Sequence, residues 1–300
     1  TRAIYAMDTL ELAPEWLLNM GLRYDHFETK YKSYTAGGTT TYKGEDTSDF
    51  FSGQLGLVWK VRPNGSIYVS YATSATPPGA MLDANETNPL SGTPDRTGKI
   101  LASDMEPEET TNYEIGTKWD VLNDRLSLAA AIFRTEKENT RVQTDANTYE
   151  NAGKTRVDGI ELSATGKITE KWQVFAGYSY LDGKQQDGGP LNKATDGNKL
   201  PNTPRNSASL WTTYAITPKL TVGGGAFYVD EVFGNVANST YVPSYTRYDA
   251  MASYKLTKNV DLQLNVQNLT DKTYYDKAFS THFANQAAGR TALLTTSFHF

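Results

Sequence analysis

The sequence predicts an all-β fold, an antiparallel barrel that crosses a membrane with strands. Two observations predict it. Tight turns and long connections alternate along the chain, and the segments between them alternate apolar and polar residues. The tight turns fall at Pro14-Glu15, Pro63-Asn64-Gly65, Leu122-Asn123-Asp124, Thr169-Glu170-Lys171, Thr217-Pro218-Lys219 and Thr257-Lys258-Asn259. The long connections run from Lys32 to Asp46, Ala75 to Glu106, Lys137 to Thr155, Asp182 to Thr203, Asp230 to Pro243 and Lys272 to Ala288. All long connections therefore fall at one end of the strands and all tight turns at the other. A soluble sandwich has no reason for this, whereas a transmembrane barrel keeps short turns inside and long loops outside.

Side chains on a strand alternate between two faces, so parity tests each segment. The first, Ala3 to Leu12, ends in a tight turn. In the second, Trp16, Leu18, Met20, Leu22 and Tyr24 oppose Asn19, Gly21, Arg23 and Asp25. Around the third turn, Thr111, Tyr113, Ile115, Thr117 and Trp119 oppose Asn112, Glu114, Gly116, Lys118 and Asp120. Leu126 to Phe133 is apolar on both parities and so remains ambiguous. Next, Ile160, Leu162, Ala164 and Ile168 oppose Gly159, Glu161, Ser163 and Thr165. Tyr248, Ala250, Ala252 and Tyr254 oppose Arg247, Asp249, Ser253 and Lys255. Finally Val260, Leu262, Leu264 and Val266 oppose Asp261, Gln263, Asn265 and Gln267. The apolar sets are expected to face lipid, and the polar sets, with Arg23, Glu114, Lys118 and Glu161, the lumen.

Aromatic residues close the apolar faces at both ends. Trp59, Trp119, Tyr214 and Tyr254 lie beside tight turns, and Tyr71, Tyr113, Tyr180, Tyr228 and Tyr248 lie toward the long connections. The spans Trp16 to Tyr24 and Trp172 to Tyr180, tilted as in a barrel, cover roughly 20 Å of membrane thickness. That approaches the apolar band between two aromatic girdles.

The first and last segments run toward the same side, so the segment count, about thirteen, is odd, whereas bacterial single-chain barrels have even counts. Residues 1–300 are expected to be the C-terminal part of a larger barrel, a processed or truncated piece whose earlier strands lie elsewhere.

Composition agrees. The chain has 300 residues, of which 38% are hydrophobic, so the lack of a long apolar run excludes membrane helices. Mean hydropathy is negative, as expected where only alternate residues meet lipid. The net charge of −5 and the lack of a basic cluster exclude a nucleic-acid partner. There is no cysteine, which excludes disulfides and thiolate metal sites.

No catalytic or metal site is expected. His26, His282 and His299 lack metal-ligand spacing, and His26 and His299 are read as structural. Gly223-Gly224-Gly225 lacks the following helix and Lys-Ser/Thr of a phosphate loop, and is read as thin strand or a bulge. The acidic stretch Asp83 to Glu109 lacks calcium-loop spacing and is read as a solvated loop.

The sequence also resembles a known family. Asn265-Val266-Gln267-Asn268-Leu269-Thr270-Asp271-Lys272-Thr273-Tyr274-Tyr275 looks like the penultimate strand and loop of TonB-dependent outer-membrane receptors. Gly289-Arg290-Thr291 leading to Phe300 resembles their last strand. Gly21-Leu22-Arg23-Tyr24-Asp25, Ile67-Tyr68-Val69-Ser70-Tyr71 and the run Asn112 to Trp119 resemble their internal strands. Tyr274-Tyr275-Asp276-Lys277-Ala278 and His282-Phe283-Ala284 resemble the catecholate branch of the ferric-siderophore receptors.

The resemblance implies a barrel of roughly 22 strands closed by an N-terminal plug. It further implies a bacterial outer-membrane location and import of a ferric siderophore driven by the TonB complex, which acts through the plug region. The ferric siderophore is then the transported ligand, not a covalent cofactor. Membrane lipid and lipopolysaccharide are implied partners. So is the outer-membrane assembly machinery, through the terminal Phe298-His299-Phe300. Rival readings are a passive porin or substrate channel, a receptor for haem, cobalamin or glycan, and a soluble β protein.

An anionic, aromatic ferric catecholate calls for Arg and Lys charge and for aromatic stacking. The residues near the long connections are Arg141, Tyr149, Phe233, Tyr241, Phe279 and Arg290, together with Arg205, Tyr245, Arg247, His282 and Phe283. Arg205 and Arg247 are the foremost basic candidates because both combine lumen parity with a place beside a long connection. Tyr245, His282 and Phe283 are the foremost stacking and hydrogen-bonding candidates.

Overall fold

A computed structural model describes residues 1–34, 40–77, 100–101, 106–143, 148–279 and 282–299. Among these residues one antiparallel wall dominates. Its strands are β1 (Arg2–Ala13), β2 (Trp16–Tyr34), β3 (Thr40–Arg62), β4 (Gly65–Thr76), β6 (Glu108–Val121), β7 (Leu126–Gln143) and β8 (Thr148–Thr169). It continues through β9 (Trp172–Asp187), β10 (Asn206–Ala215), β11 (Leu220–Val229), β14 (Tyr245–Lys255), β15 (Val260–Gln267) and β18 (Thr291–Phe298). Each strand pairs with its neighbour in this order, which gives thirteen consecutive strands. A short β5 (Ile100–Leu101) pairs in parallel with β8 off this path. Two further hairpins, β12 (Val232–Phe233) with β13 (Tyr241–Val242) and β16 (Tyr275–Phe279) with β17 (Phe283–Gln286), stand in the long connections. β1 and β18 are the terminal strands of the path.

The pairing registers settle the parity. Leu22 lies opposite Ala6 and Gly53, Ile115 opposite Val69 and Ile132, and Leu162 opposite Ala130 and Tyr178. These apolar rows are exposed: Leu22 is 59%, Ile115 51% and Leu162 47% accessible. A water-soluble protein would bury side chains of this size; a lipid-facing wall has no need to. The opposite face is polar. Arg23 pairs with Asp25 at 2.6 Å, and the Tyr68 hydroxyl donates to Glu114 at 2.7 Å. Leu18 and Leu262 share the outward register, and Asn19, Glu161 and Gln263 the inward one.

Both girdles form. Near the tight turns Trp16 stacks on Trp59 with ring centroids 5.6 Å apart. Near the long connections Tyr24 meets Phe51 at 5.1 Å and Tyr71 meets Tyr113 at 5.2 Å. Above the outer girdle the outward face of β7–β9 changes abruptly. The row Ile132, Ile160, Tyr180 is followed, two residues up each strand, by Arg134, Asp158, Asp182, and then by Glu136, Arg156, Lys184.

The ambiguous segment resolves as β7. Leu128, Ala130 and Ile132 face out, while Ala129, Ala131 and Phe133 face in. Inward Phe133 fits because Gly159 opposite it has no Cβ; one built there would lie 2.2 Å from the Phe133 ring. The run Gly223–Gly225 is regular strand rather than a bulge, paired without a shift to Met251, Ala250 and Asp249. Its inward Gly225 makes room for Trp211, whose ring would lie 2.5 Å from an added Cβ.

The connections differ from their predicted bounds. β2 and β3 remain paired up to Ser33 and Tyr42, inside the predicted loop, and β7 pairs with β8 as far as Gln143 and Tyr149. The apolar alternation stops where lipid stops, but a ladder needs only backbone hydrogen bonds and continues above it. Most of the acidic stretch from Asp83, and Phe300 of the terminal motif, lie outside the described residues.

Candidate functional site

The inward face of the wall carries a concavity of about 590 Å³, lined by Tyr68, Glu114, Glu161, Phe227, Tyr245 and Arg247 among others. Its cationic corner is built by β11 and β14. Register places Arg247 opposite Phe227 and Tyr245 opposite Val229, all inward. The Arg247 guanidinium lies 4.7 Å from the centre of the Phe227 ring. Its Nη2 donates to Asp249 Oδ2 at 2.9 Å, the same-face partner two residues along the strand. Its Nη1 reaches the Tyr274 hydroxyl at 3.5 Å, and Tyr274 stacks on Tyr245 with centroids 4.2 Å apart. Nε of Arg247 is buried and has no hydrogen-bond partner within the described residues.

Asp249 ties this corner to the last long connection. It is 8% accessible, and its Oδ1 accepts from the Asn268 backbone N–H at 2.9 Å. Asn268 is almost fully buried and left-handed, with φ 52°. Its side chain accepts from Lys272 N at 2.9 Å and donates to Lys272 O at 2.9 Å and Ala288 O at 3.3 Å. One amide therefore holds both feet of the 272–288 connection, and Tyr274 is positioned by that hold.

Side-chain amides also join the long connections to one another. Asn202 accepts from Ala278 N at 3.0 Å and donates to Ala278 O at 2.9 Å, as an opposing strand residue would. Asn238 does the same for Lys199, at 2.9 Å and 2.8 Å. Val232, Val242, Ala278 and Ala284 pack into a small apolar cluster beneath them.

The other sequence candidates lie elsewhere. Arg205 precedes β10, and its backbone accepts from Leu181, an inward register. Its guanidinium, however, donates to the hydroxyl of outward-facing Tyr180 at 3.0 Å and lies 5.4 Å from that ring. His282 and Phe283 stand at the β16–β17 hairpin tip, where Phe283 stacks on Phe279 at 4.7 Å and is 65% exposed. Phe233 and Tyr241 meet edge-on at 6.4 Å across the β12–β13 hairpin. Arg290 braces the foot of the last connection, with its backbone N donating to Asp271 Oδ1 at 2.7 Å. Tyr245 and Arg247 are thus brought together, while Arg205 and the His282–Phe283 pair stand apart from them.

Sequence reasoning did not single out Asp249, Phe227, Asn268 or Tyr274. The signal for Asp249 was available: opposite charges two residues apart on one strand share a face. The chain uses this spacing repeatedly, at Arg23–Asp25, Glu28–Lys30, Arg156–Asp158, Asp182–Lys184 and Arg247–Asp249. His26 and His299 hold structural partners, Asp49 at 2.8 Å and Asp261 at 3.0 Å. Among the described residues no cluster of three or more potential metal-ligating His, Asp or Glu side chains exists.

Known proteins share this architecture. The siderophore receptor PiuA of Acinetobacter baumannii is 48% identical over 99% of this chain and 40% of its own length. Its crystal structure superposes with a TM-score of 0.87 at 47% identity, covering 99% of this chain and 42% of that one. The catecholate siderophore receptor Fiu of Escherichia coli is 35% identical over the whole chain and 42% of its own length. The closed form of Fiu superposes with a TM-score of 0.83. The chain thus spans about two fifths of the length of these relatives. The family model described as "TonB dependent receptor-like, beta-barrel" matches residues 1–269. With an inward polar wall, an outward lipid-compatible one and these matches over nearly its whole length, the chain belongs to the TonB-dependent receptors, as part of their β-barrel.

Proposed function

We propose that residues 1–300 form the C-terminal part of the barrel of a bacterial outer-membrane receptor, with the plug and the earlier strands supplied by sequence outside this segment. The receptor binds a ferric siderophore on its long-loop side and imports it with energy delivered by TonB through the plug. It binds and translocates, and makes or breaks no covalent bond in its cargo. The observation that carries the reading is the 48% identity to a siderophore receptor over 99% of the chain. The likeness to Fiu supports a catecholate cargo.

Within the barrel, Arg247 and Tyr245 are the inward anchor for the ligand. The guanidinium sits on the Phe227 ring and beside Tyr274, which presents charge next to aromatic faces as an anionic, aromatic chelate requires. Asp249 offsets part of that charge and fixes the direction of the fork. Arg205, His282 and Phe283 would meet the ligand earlier, at the rim. The terminal strand, ending in Phe298-His299-Phe300, presents the signal for the outer-membrane assembly machinery.

The test uses the full-length receptor and ferric-siderophore affinity measured by fluorescence quenching. Arg247→Ala is expected to weaken binding by about 1.5–3 kcal/mol, the scale of a lost charge-assisted contact. Unchanged affinity in both Arg247→Ala and Arg205→Ala rejects this placement. Uptake that persists after TonB is deleted favours a passive channel instead.

A further inference from the structure

We infer that Asp249 is a positioning residue for the anion anchor: its bond to the Asn268 backbone N–H takes one carboxylate oxygen and leaves the Arg247 fork aimed but only half-paired. This role depends on the Arg247 anchor proposed above. Other ion pairs of the same wall show what a full pairing looks like. Arg23 and Asp25, two residues apart on β2, close a complete fork: Nε donates to Oδ2 at 2.6 Å and Nη2 to Oδ1 at 2.7 Å. Across β7 and β8, Arg134 closes the same kind of fork on Asp158, at 2.6 Å and 3.2 Å. Arg247 and Asp249, two residues apart on β14, do not. Nη2 donates to Oδ2 at 2.9 Å, while Nε is buried and, among the described residues, unpaired.

Burial does not account for the difference, since Asp25 and Asp249 are both buried. What differs is the second carboxylate oxygen. The β14–β15 ladder ends with Ala250 opposite Val266. Two residues past Val266 the chain turns left-handed at Asn268, and its backbone N donates to Asp249 Oδ1 at 2.9 Å. Anchored there, the carboxylate presents one oxygen to the guanidinium instead of two. The contact on the other side is weak: the Tyr274 hydroxyl stands 3.5 Å from Nη1, at the limit of a hydrogen bond. A closed fork would satisfy the guanidinium internally, and an anionic ligand would have to break two charge-assisted bonds to reach it. The half-paired form keeps its direction through Nη2 and the Phe227 ring, and keeps N–H capacity for ligand oxygens.

The experiment is a double-mutant cycle in the full-length receptor, with a trianionic ferric tris-catecholate as probe and affinity read by fluorescence quenching. Asp249→Asn keeps the shape but leaves one carbonyl oxygen to serve both Arg247 and Asn268. It also removes a negative charge, so a role in charge offset alone predicts tighter binding of an anion. Positioning predicts weaker binding, by about tenfold, the scale of one charge-assisted hydrogen bond. In an Arg247→Ala background the same Asp249→Asn change should cause no further loss. Should Asp249→Asn not fold, Asp249→Glu, which keeps the charge and displaces the oxygens, takes its place in the cycle with the same expectation. Equal or tighter binding in the Asp249 variant, or an equal loss with and without Arg247, overturns the positioning role and leaves the anchor standing. Unchanged affinity in Arg247→Ala overturns the anchor itself, and the positioning role with it.

Discussion

At the tight-turn end, Lys255 N donates to Lys219 O and Leu256 N to Val260 O, both at 2.9 Å, and Thr169, Thr217 and Thr257 hydroxyls accept from backbone N–H groups two or three residues on. At the long-loop end, Asn202, Asn238 and Asn268 take over, each using both ends of one amide to grip a backbone segment remote in sequence or across a turn. The first end is local and repeats from hairpin to hairpin. The second depends on a few long-reaching side-chain amides, of which Asn268 is buried. The contrast teaches where stability is spread and where it is concentrated, and three predictions test it.

The largest effect belongs to the repeating wall. Leu162→Arg places a cation on the outward, lipid-facing side, whereas Ser163→Arg, its neighbour, lies on the inward, polar side. Leu162→Arg should cost about 2–4 kcal/mol and Ser163→Arg much less, read as urea unfolding midpoints of the full-length receptor in vesicles. Equal costs would remove the distinction between the faces.

A local loss should follow from Asn268→Ala. It removes the three hydrogen bonds of a nearly fully buried amide, at about 1–3 kcal/mol. Hydrogen exchange should quicken across 272–288 while β6–β9 stay protected. Uniform quickening would show that the two ends are not separable units.

The smallest effect concerns Asp230, outside β11. Its carboxylate is held below the ordinary range, first by the Asn206 side-chain amide at 3.0 Å and then by the Tyr228 hydroxyl at 3.1 Å. A depressed value means the stabilisation is present above the usual carboxylate pKa and is lost as pH falls through the folded one. Acidification below pH ~4 should therefore loosen the 230–243 connection, by less than about 1 kcal/mol for so accessible a group. An Asp230→Asn variant with an unchanged acid profile would discount the contact.

The wall was legible because one solvent differs from the other. Ile115 beside Glu114 and Leu162 beside Glu161 reveal parity, since lipid rejects one and accepts the other. Where both faces tolerate small apolar residues, as at Ala129–Ala131, parity vanished, and only the Phe133–Gly159 fit resolved it. Above the membrane both faces meet water, so Glu28 to Ser33 gave no period although the ladder continues through them. Tyr245 and Arg247 could be placed inward from their strand. The grip of Asn268 could not be foreseen, because it joins residues brought together only by the closed connection. Arg205 shows the limit of parity beyond a strand's end, since its long side chain reaches the outer ring of Tyr180.

The abrupt change from Ile132–Ile160–Tyr180 to Arg134–Asp158–Asp182 also has a mechanical meaning. One row is about 5 Å of depth for a tilted strand. Sinking the wall by that much would drag the charged rows toward hydrocarbon, and lifting it would expose the apolar ones to water. Summed around the wall, the restoring gradient is on the order of 1 kcal/mol per Å, roughly 70 pN. An axial pull weaker than that force would leave the wall at its depth in the membrane.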